Sequence, residues 1–162
     1  MSKHKINPKR LVISLILPQL AGLVGSFFTA SAISEWYAGL VKPGFGPPNW
    51  IFGPVWITLY ILMGVSVYLV WSLSDRENKD KSKSALNLFW IHLFFNAIWS
   101  PIFFGLKNPG LALISIIIIW ILIIALIFKF YKISKLSAYL LVPYFAWVSF
   151  ATLLNYFIWY LN

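Results

Sequence analysis

No cysteine occurs in the 162 residues, so disulfides, thiol nucleophiles and cysteine-held metals are excluded at the outset. Acidic side chains are nearly as scarce: Glu35, Asp75, Glu77 and Asp80 are the four, three of them in one short stretch. So few carboxylates leave little with which to build a metal site, a carboxylate pair for acid and base work, or a Ser-His-Asp set. Charge of either sign is missing from long runs, since only 10% of residues are charged and 60% are hydrophobic. Such a balance belongs to a chain whose solvent is lipid.

Five apolar segments, at 11–33, 51–73, 86–106, 111–130 and 136–161, each offer about 20 or more residues, the length that spans the hydrocarbon of a bilayer. The expected architecture is an all-α integral membrane protein, five transmembrane helices in a compact single domain. No span holds an Asp, Glu, Lys or Arg in its interior, which weighs against a proton-coupled transporter or an ion pump. Lys3, Lys5, Lys9 and Arg10 precede the first span, Arg76, Lys79, Lys81 and Lys83 follow the second, and Lys129, Lys132 and Lys135 follow the fourth. The opposite side has only Lys42 and Lys107. By the positive-inside rule the N-terminus is cytoplasmic and the C-terminus outside. The net charge of +9 is then a topology signal, and its separated clusters do not form a nucleic-acid face. The start of the chain has the outline of a cleavable signal, with Ala30 to Ala32 as a cleavage site. Its apolar run is too long for that and contains Pro18 and two glycines at packing spacing. A short charged N-terminus without a transit-like segment points to a bacterial cytoplasmic membrane.

The connector between the first two spans is unlike the others. In "WYAGLVKPGFGPPNWIFGPVW", Pro43, Pro47 and Pro48 restrict the backbone while Gly39, Gly44 and Gly46 permit tight reversals, which predicts an ordered lid. Trp36, Tyr37 and Trp50 fit interfacial anchors, as do Tyr156, Trp159 and Tyr160 at the end of the last span. The aromatic series runs on into the second helix as Trp56 and Tyr60, an i, i+4 pair on one face. The second connector, "SDRENKDKSK", reads as a solvated turn.

Polar residues at membrane depth are the best pointers to function. His92, Asn96, Trp99 and Ser100 share one face of the third span, which should turn inward. Asn96 suits either a bond to a neighbouring helix or a ligand contact, and His92 either a satisfied core histidine or a haem ligand. In the fifth span Tyr144, Trp147, Ala151 and Leu154 form a stripe beside Asn155, and Pro143 should kink the helix. Gly22, Gly25, Ser26 and Thr29 form a small-residue stripe in the first span, read as helix packing or as a ligand approach. Together these describe an aromatic, largely neutral pocket suited to a flat apolar ligand held by stacking and one or two hydrogen bonds.

The stretches "WYAGLVKPGFGPPNWIFGPVWITLYILMGVSVYLVW" (36–71), "NAIWSPIFFG" (96–105) and "PYFAWVSFATLLNYFIW" (143–159), with "PQLAGLVGS" in the first span, closely resemble the translocator protein family, also called tryptophan-rich sensory proteins or the peripheral benzodiazepine receptor family. The resemblance implies a homodimeric five-helix bundle that binds tetrapyrroles such as protoporphyrin IX and haem, and benzodiazepine-type or isoquinoline ligands, with no required cofactor. The first loop would cover the pocket mouth. Matched residue by residue, the family's pocket falls on Ser26, Thr29, Phe52, Val55, Trp56, Asn96, Leu111, Ile118, Trp147, Ala151 and Leu154. Trp56 and Trp147 match two tryptophans associated in bacterial members with light- and oxygen-dependent porphyrin breakdown. The implied function is a porphyrin binder that senses, sequesters or helps to break down its ligand; the alternatives are a porphyrin-degrading enzyme and a passive transporter of lipophilic molecules. Two departures stand out. Gly44 and Phe45 replace the Ser and Trp usual in the loop. The cholesterol pattern at the end of the last span has Leu154 and Tyr156 but no following basic residue, so cholesterol is not among the expected partners.

Overall fold

The computed structural model describes residues 6–74 and 79–162, so the expectations placed on Lys3, Lys5, Asp75, Arg76 and Glu77 lie outside the described residues. Among those described, every regular element is helical. Helix α1 (Pro8–Ile33) starts where the Asn7 side chain accepts a bond from the Arg10 amide at 3.2 Å and Pro8 supplies a preset φ. Helix α2 (Asn49–Ser72) emerges from the Pro47-Pro48 pair. Helix α3 (Lys79–Ser100) runs into a π-helical turn, Pro101–Gly105. Helix α4 (Pro109–Tyr131) repeats the α1 start, with Asn108 as the cap. Helices α5 (Lys135–Leu140) and α6 (Val142–Leu161) form the fifth span, so among the described residues five helical stretches are long and apolar enough to cross a membrane.

Two features depart from a plain reading of the chain. The charged stretch expected to be a solvated turn is already helical from Lys79, because Ser82 and Ala85 are buried and Lys129 Nζ donates to Ser84 Oγ at 2.7 Å across the α3–α4 seam. Packing against α4 overrides the polar composition there. The kink expected from Pro143 is a break at Leu141, where Pro143 at the first turn of α6 brings no amide hydrogen.

The helices close a ring in which α1 lies between α2 and α3, α4 packs on both α3 and α6, and α2 returns against α5 while touching α6 only lightly. Close approach needs glycine at two points. A methyl group at Gly64 would come within 2.6 Å of the Ser14 carbonyl oxygen, and one at Gly22 would run into the Tyr60 ring. The core is lined by Met63, Val67, Phe89, Ile123, Phe130 and Tyr144, all fully or almost fully buried.

The two ends of the ring are held differently. At the basic end Arg10 donates to the Trp71 carbonyl at 3.0 Å and lies over the Trp71 ring. Ser66 Oγ donates to the Ser137 carbonyl at 2.8 Å while Ser137 Oγ donates to the Ser66 carbonyl at 3.0 Å, a reciprocal tie between α2 and α5. At the other end the contacts are mostly between rings, and the first loop closes over them.

Candidate functional site

The loop is ordered by its own chemistry. Residues Tyr37–Gly39 form one 3-10 turn whose carbonyls are gathered by Lys42 Nζ, at 2.8 Å from Tyr37 O and 3.3 Å from both Ala38 O and Leu40 O. The same ammonium lies 4.8 Å from the centre of the Tyr37 ring. Tyr37 itself is buried against Phe103 and Phe104 and so is no headgroup anchor, whereas Trp50 stays 73% exposed. Burial raises the pKa of the Tyr37 phenol above its ordinary value, because the charged form would lose its water. Val41 is held at both backbone groups by the Asn162 side chain, at 2.9 Å to its amide and 3.0 Å to its carbonyl. A turn from Pro43 O to Gly46 N then brings Phe45 down onto Phe150 and Phe157 of α6, with ring centres 6.2 and 5.5 Å away. Phe45, itself 46% exposed, thus rests its ring on α6.

Under the lid, α2 and α6 face each other through aromatic side chains. Phe52 meets Trp147 edge-on at 5.7 Å, and Gly46 sits over Leu154. One turn further into α2, Trp56 lies 5.4 Å from Tyr60 and 6.2 Å from Tyr144. Trp147 also meets Phe150, and its indole N–H is buried with no hydrogen-bond acceptor among the described residues. Pairing is the rule for buried donors, and leaving one unpaired costs about 1–3 kcal/mol.

Below the indoles lies a buried polar chain. Tyr60 donates to Asn96 Oδ1 at 2.8 Å, Asn96 Nδ2 donates to the Tyr144 hydroxyl at 2.7 Å, and that hydroxyl is 2.8 Å from His92 Nε2. The face carrying His92, Asn96, Trp99 and Ser100 turns inward, with Trp99 donating to Asn155 Oδ1 at 3.3 Å. Asn155 in turn donates to the Pro109 carbonyl at 2.8 Å, joining α3, α4 and α6.

Of the sequence-derived site residues, Phe52, Val55, Trp56, Asn96, Trp147, Ala151 and Leu154 fall on the inward faces of α2, α3 and α6. Thr29 is partly buried and shares a 2.8 Å hydrogen bond with Ser100. Ile118 is half-buried on α4. Ser26 is exposed, its hydroxyl turned back onto the Gly22 carbonyl, and Leu111 is 44% exposed at the start of α4. The stripe containing Ser26 packs helices through Gly22, against Tyr60, and Gly25, against Ser100. The clasp between Asn162 and Val41 and the Phe103–Phe104 seat for Tyr37 were not singled out from sequence. Nothing in the periodicity pairs residues 121 positions apart. Among the described residues no cluster of His, Asp or Glu is arranged to hold a metal ion.

Residues 14–161 match the model of the TspO/MBR family. The Tryptophan-rich protein TspO of Archaeoglobus fulgidus is 43% identical over 157 residues, which covers 97% of this chain and 99% of that relative. The Translocator protein of Homo sapiens is 42% identical over 144 residues, 89% and 85% of the two chains. A Tryptophan-rich sensory protein of Cereibacter sphaeroides is 35% identical over 122 residues, 75% and 73%.

Proposed function

The chain belongs to the TspO/MBR family, and from that premise we propose that the site between α2, α3 and α6 binds a tetrapyrrole of the protoporphyrin IX or haem type, which the protein senses or sequesters. The carrying observation is the buried indole N–H of Trp147, without an acceptor among the described residues, between the rings of Phe52 and Phe150. A flat apolar ligand would stack on these rings and offer the missing acceptor. The same features suit benzodiazepine-type or isoquinoline ligands. Opening the site means lifting Phe45 from α6 and separating Phe52 from Trp147.

The test is a dark titration of protoporphyrin IX into detergent-solubilised protein, following tryptophan quenching. Saturable binding is expected, weakened about fivefold in Trp147→Phe by loss of one hydrogen bond. Linear, unsaturable quenching would overturn the reading.

A second reading is favoured by the contact of Trp56 with two tyrosines: light-driven, oxygen-dependent breakdown of the bound porphyrin through Trp56 and Trp147. It predicts a discrete product on illumination that is lost in either Trp→Phe variant while most dark binding survives. Spectra identical to those of free bleached porphyrin would exclude it.

Two further proposals concern the assembly. Helix α1 is the least buried span, showing Leu20, Leu23, Val24 and Phe27 to the bilayer, and a second copy of the chain is the partner we assign to it. Light scattering in detergent should return a dimer. Arg10 at the start of α1 bonds to Trp71 at the end of α2 and Lys129 at the end of α4 bonds to Ser84 at the start of α3, and we assign this basic side, with the N-terminus, to the cytoplasm. Protease accessibility of terminal tags in inside-out vesicles checks that orientation.

A further inference from the structure

We propose that Tyr144 and His92 form a proton-coupled relay behind Trp56: when Trp56 loses an electron, Tyr144 replaces it and passes its phenolic proton to His92 Nε2. The inference rests on the reading that bound, photoexcited porphyrin oxidises Trp56.

Two tyrosines touch Trp56, and a phenol yields an electron readily only if its proton leaves with it. The acceptor of each phenolic proton therefore decides which tyrosine can act. The Tyr60 hydroxyl points at Asn96 Oδ1, an amide oxygen that accepts a hydrogen bond but does not take a proton. The Tyr144 hydroxyl is 2.8 Å from an imidazole nitrogen, a true base when it carries no hydrogen.

Hydrogen-bond accounting puts that nitrogen in the required state. With Asn96 Oδ1 receiving the Tyr60 proton, Asn96 Nδ2 donates to the Tyr144 oxygen, and the Tyr144 proton has His92 Nε2 as its acceptor. His92 then carries its hydrogen on Nδ1, which has no partner, so the arrangement leaves one buried vacancy. Moving that hydrogen to Nε2 leaves two, the Tyr144 proton and the Nδ1 lone pair. Reversing the Asn96 amide also leaves two, the Tyr60 proton and again Nδ1. The arrangement with fewest vacancies is the one that keeps Nε2 as a base.

The step balances. Photoexcited porphyrin gives one electron to molecular oxygen, forming superoxide, and the porphyrin cation takes one from Trp56. The Trp56 radical cation is then reduced by Tyr144 as the proton moves from Tyr144 Oη to His92 Nε2. The products are intact Trp56, a neutral Tyr144 phenoxyl radical and an imidazolium, with the single positive charge conserved. Tyr144 and His92 are both fully buried, so the oxidising equivalent sits away from superoxide while the indole in the site is restored.

The test separates the relay from the porphyrin photochemistry. In one arm an ultraviolet flash ionises the indoles of ligand-free protein and transient absorption follows tryptophanyl and tyrosyl radicals. In a Trp159→Phe background, which removes the other indole among the described residues in ring contact with a tyrosine, Tyr156, the protein should convert one into the other, with Trp56→Phe and Tyr144→Phe each lowering the tyrosyl yield at least about fivefold. Tyr139→Phe, which deletes a phenol on α5 in ring contact with Tyr131, should keep the yield within about twofold. His92→Gln keeps an acceptor but removes the base, and should slow conversion at least about tenfold. Equal losses in Tyr139→Phe and Tyr144→Phe, a wild-type rate in His92→Gln, or no tyrosyl signal before any substitution at these positions would each overturn the relay. If Tyr144→Phe does not fold, a fluorotyrosine placed at 144 must shift the radical spectrum, and an unshifted spectrum overturns the proposal. The second arm illuminates the porphyrin complex in an electron paramagnetic resonance cavity. A relay present in the first arm with no radical in the second would sink the photochemical reading alone.

Discussion

At the basic end, α2 and α5 are tied by two hydrogen bonds between Ser66 and Ser137, buried and directional. Towards the loop, α2 and α6 meet through Phe52 on Trp147 and through Phe45 pressed onto α6 from above. A buried hydrogen bond that slips leaves a polar vacancy, whereas edge-on rings re-form over a range of angles and offsets. Between the two regions stands the break at Leu141, so the tied part and the ring-lined part belong to different helices. The chain thus sets a fixed base against a ring-lined seam, and local opening should be confined to the seam.

The comparison is broken most severely at Gly64. A methyl there meets the Ser14 carbonyl oxygen and, at 3.0 Å, the Leu15 Cα, both backbone, so Gly64→Ala should cost about 3 kcal/mol or more and lower the Tm in detergent. Gly53, near the seam, has nothing within 4 Å of the same added methyl, and Gly53→Ala should cost nothing. Equal Tm values for the two variants would erase the distinction. A smaller loss, about 2 kcal/mol, is expected when Ser66 and Ser137 are both replaced by Ala, read by thermal unfolding, with dark porphyrin affinity unchanged. The smallest effect on stability belongs to Phe45→Ala. It should leave Tm almost unmoved yet speed porphyrin release up to about tenfold in a stopped-flow chase, since two ring contacts are lost. Unchanged release would mean that the lid does not govern exit.

The five spans were legible because a bilayer demands length and excludes charge, and both are written in the sequence. The inward faces of α3 and α6 were legible for a related reason: Asn96 and Asn155 are too costly to turn towards lipid. Registers between helices were not. That the Tyr60 hydroxyl reaches Asn96, and Asn96 reaches Tyr144, depends on the relative heights of three helices, which no single helix encodes. The same holds for Ser66 and Ser137, ordinary small polar residues until they are seen to exchange hydrogen bonds. At Lys79–Ser84 composition misled, because a charged stretch reads as a turn until the neighbouring end of α4 gives it something to pack against. Ser26 showed the limit of stripe arguments. Its spacing matches Gly22, Gly25 and Thr29, but its hydroxyl bonds back to its own helix and the residue faces outward.

The clasp between Val41 and Asn162 sets an order in time. Ribosomes deliver residue 41 long before residue 162, so the loop leaves the insertion machinery with its backbone groups at Val41 still waiting for the side chain that will hold them. Closure over the site follows the synthesis of all five spans, and a nascent chain halted before Asn162 would carry its helices in the membrane with the lid unfastened.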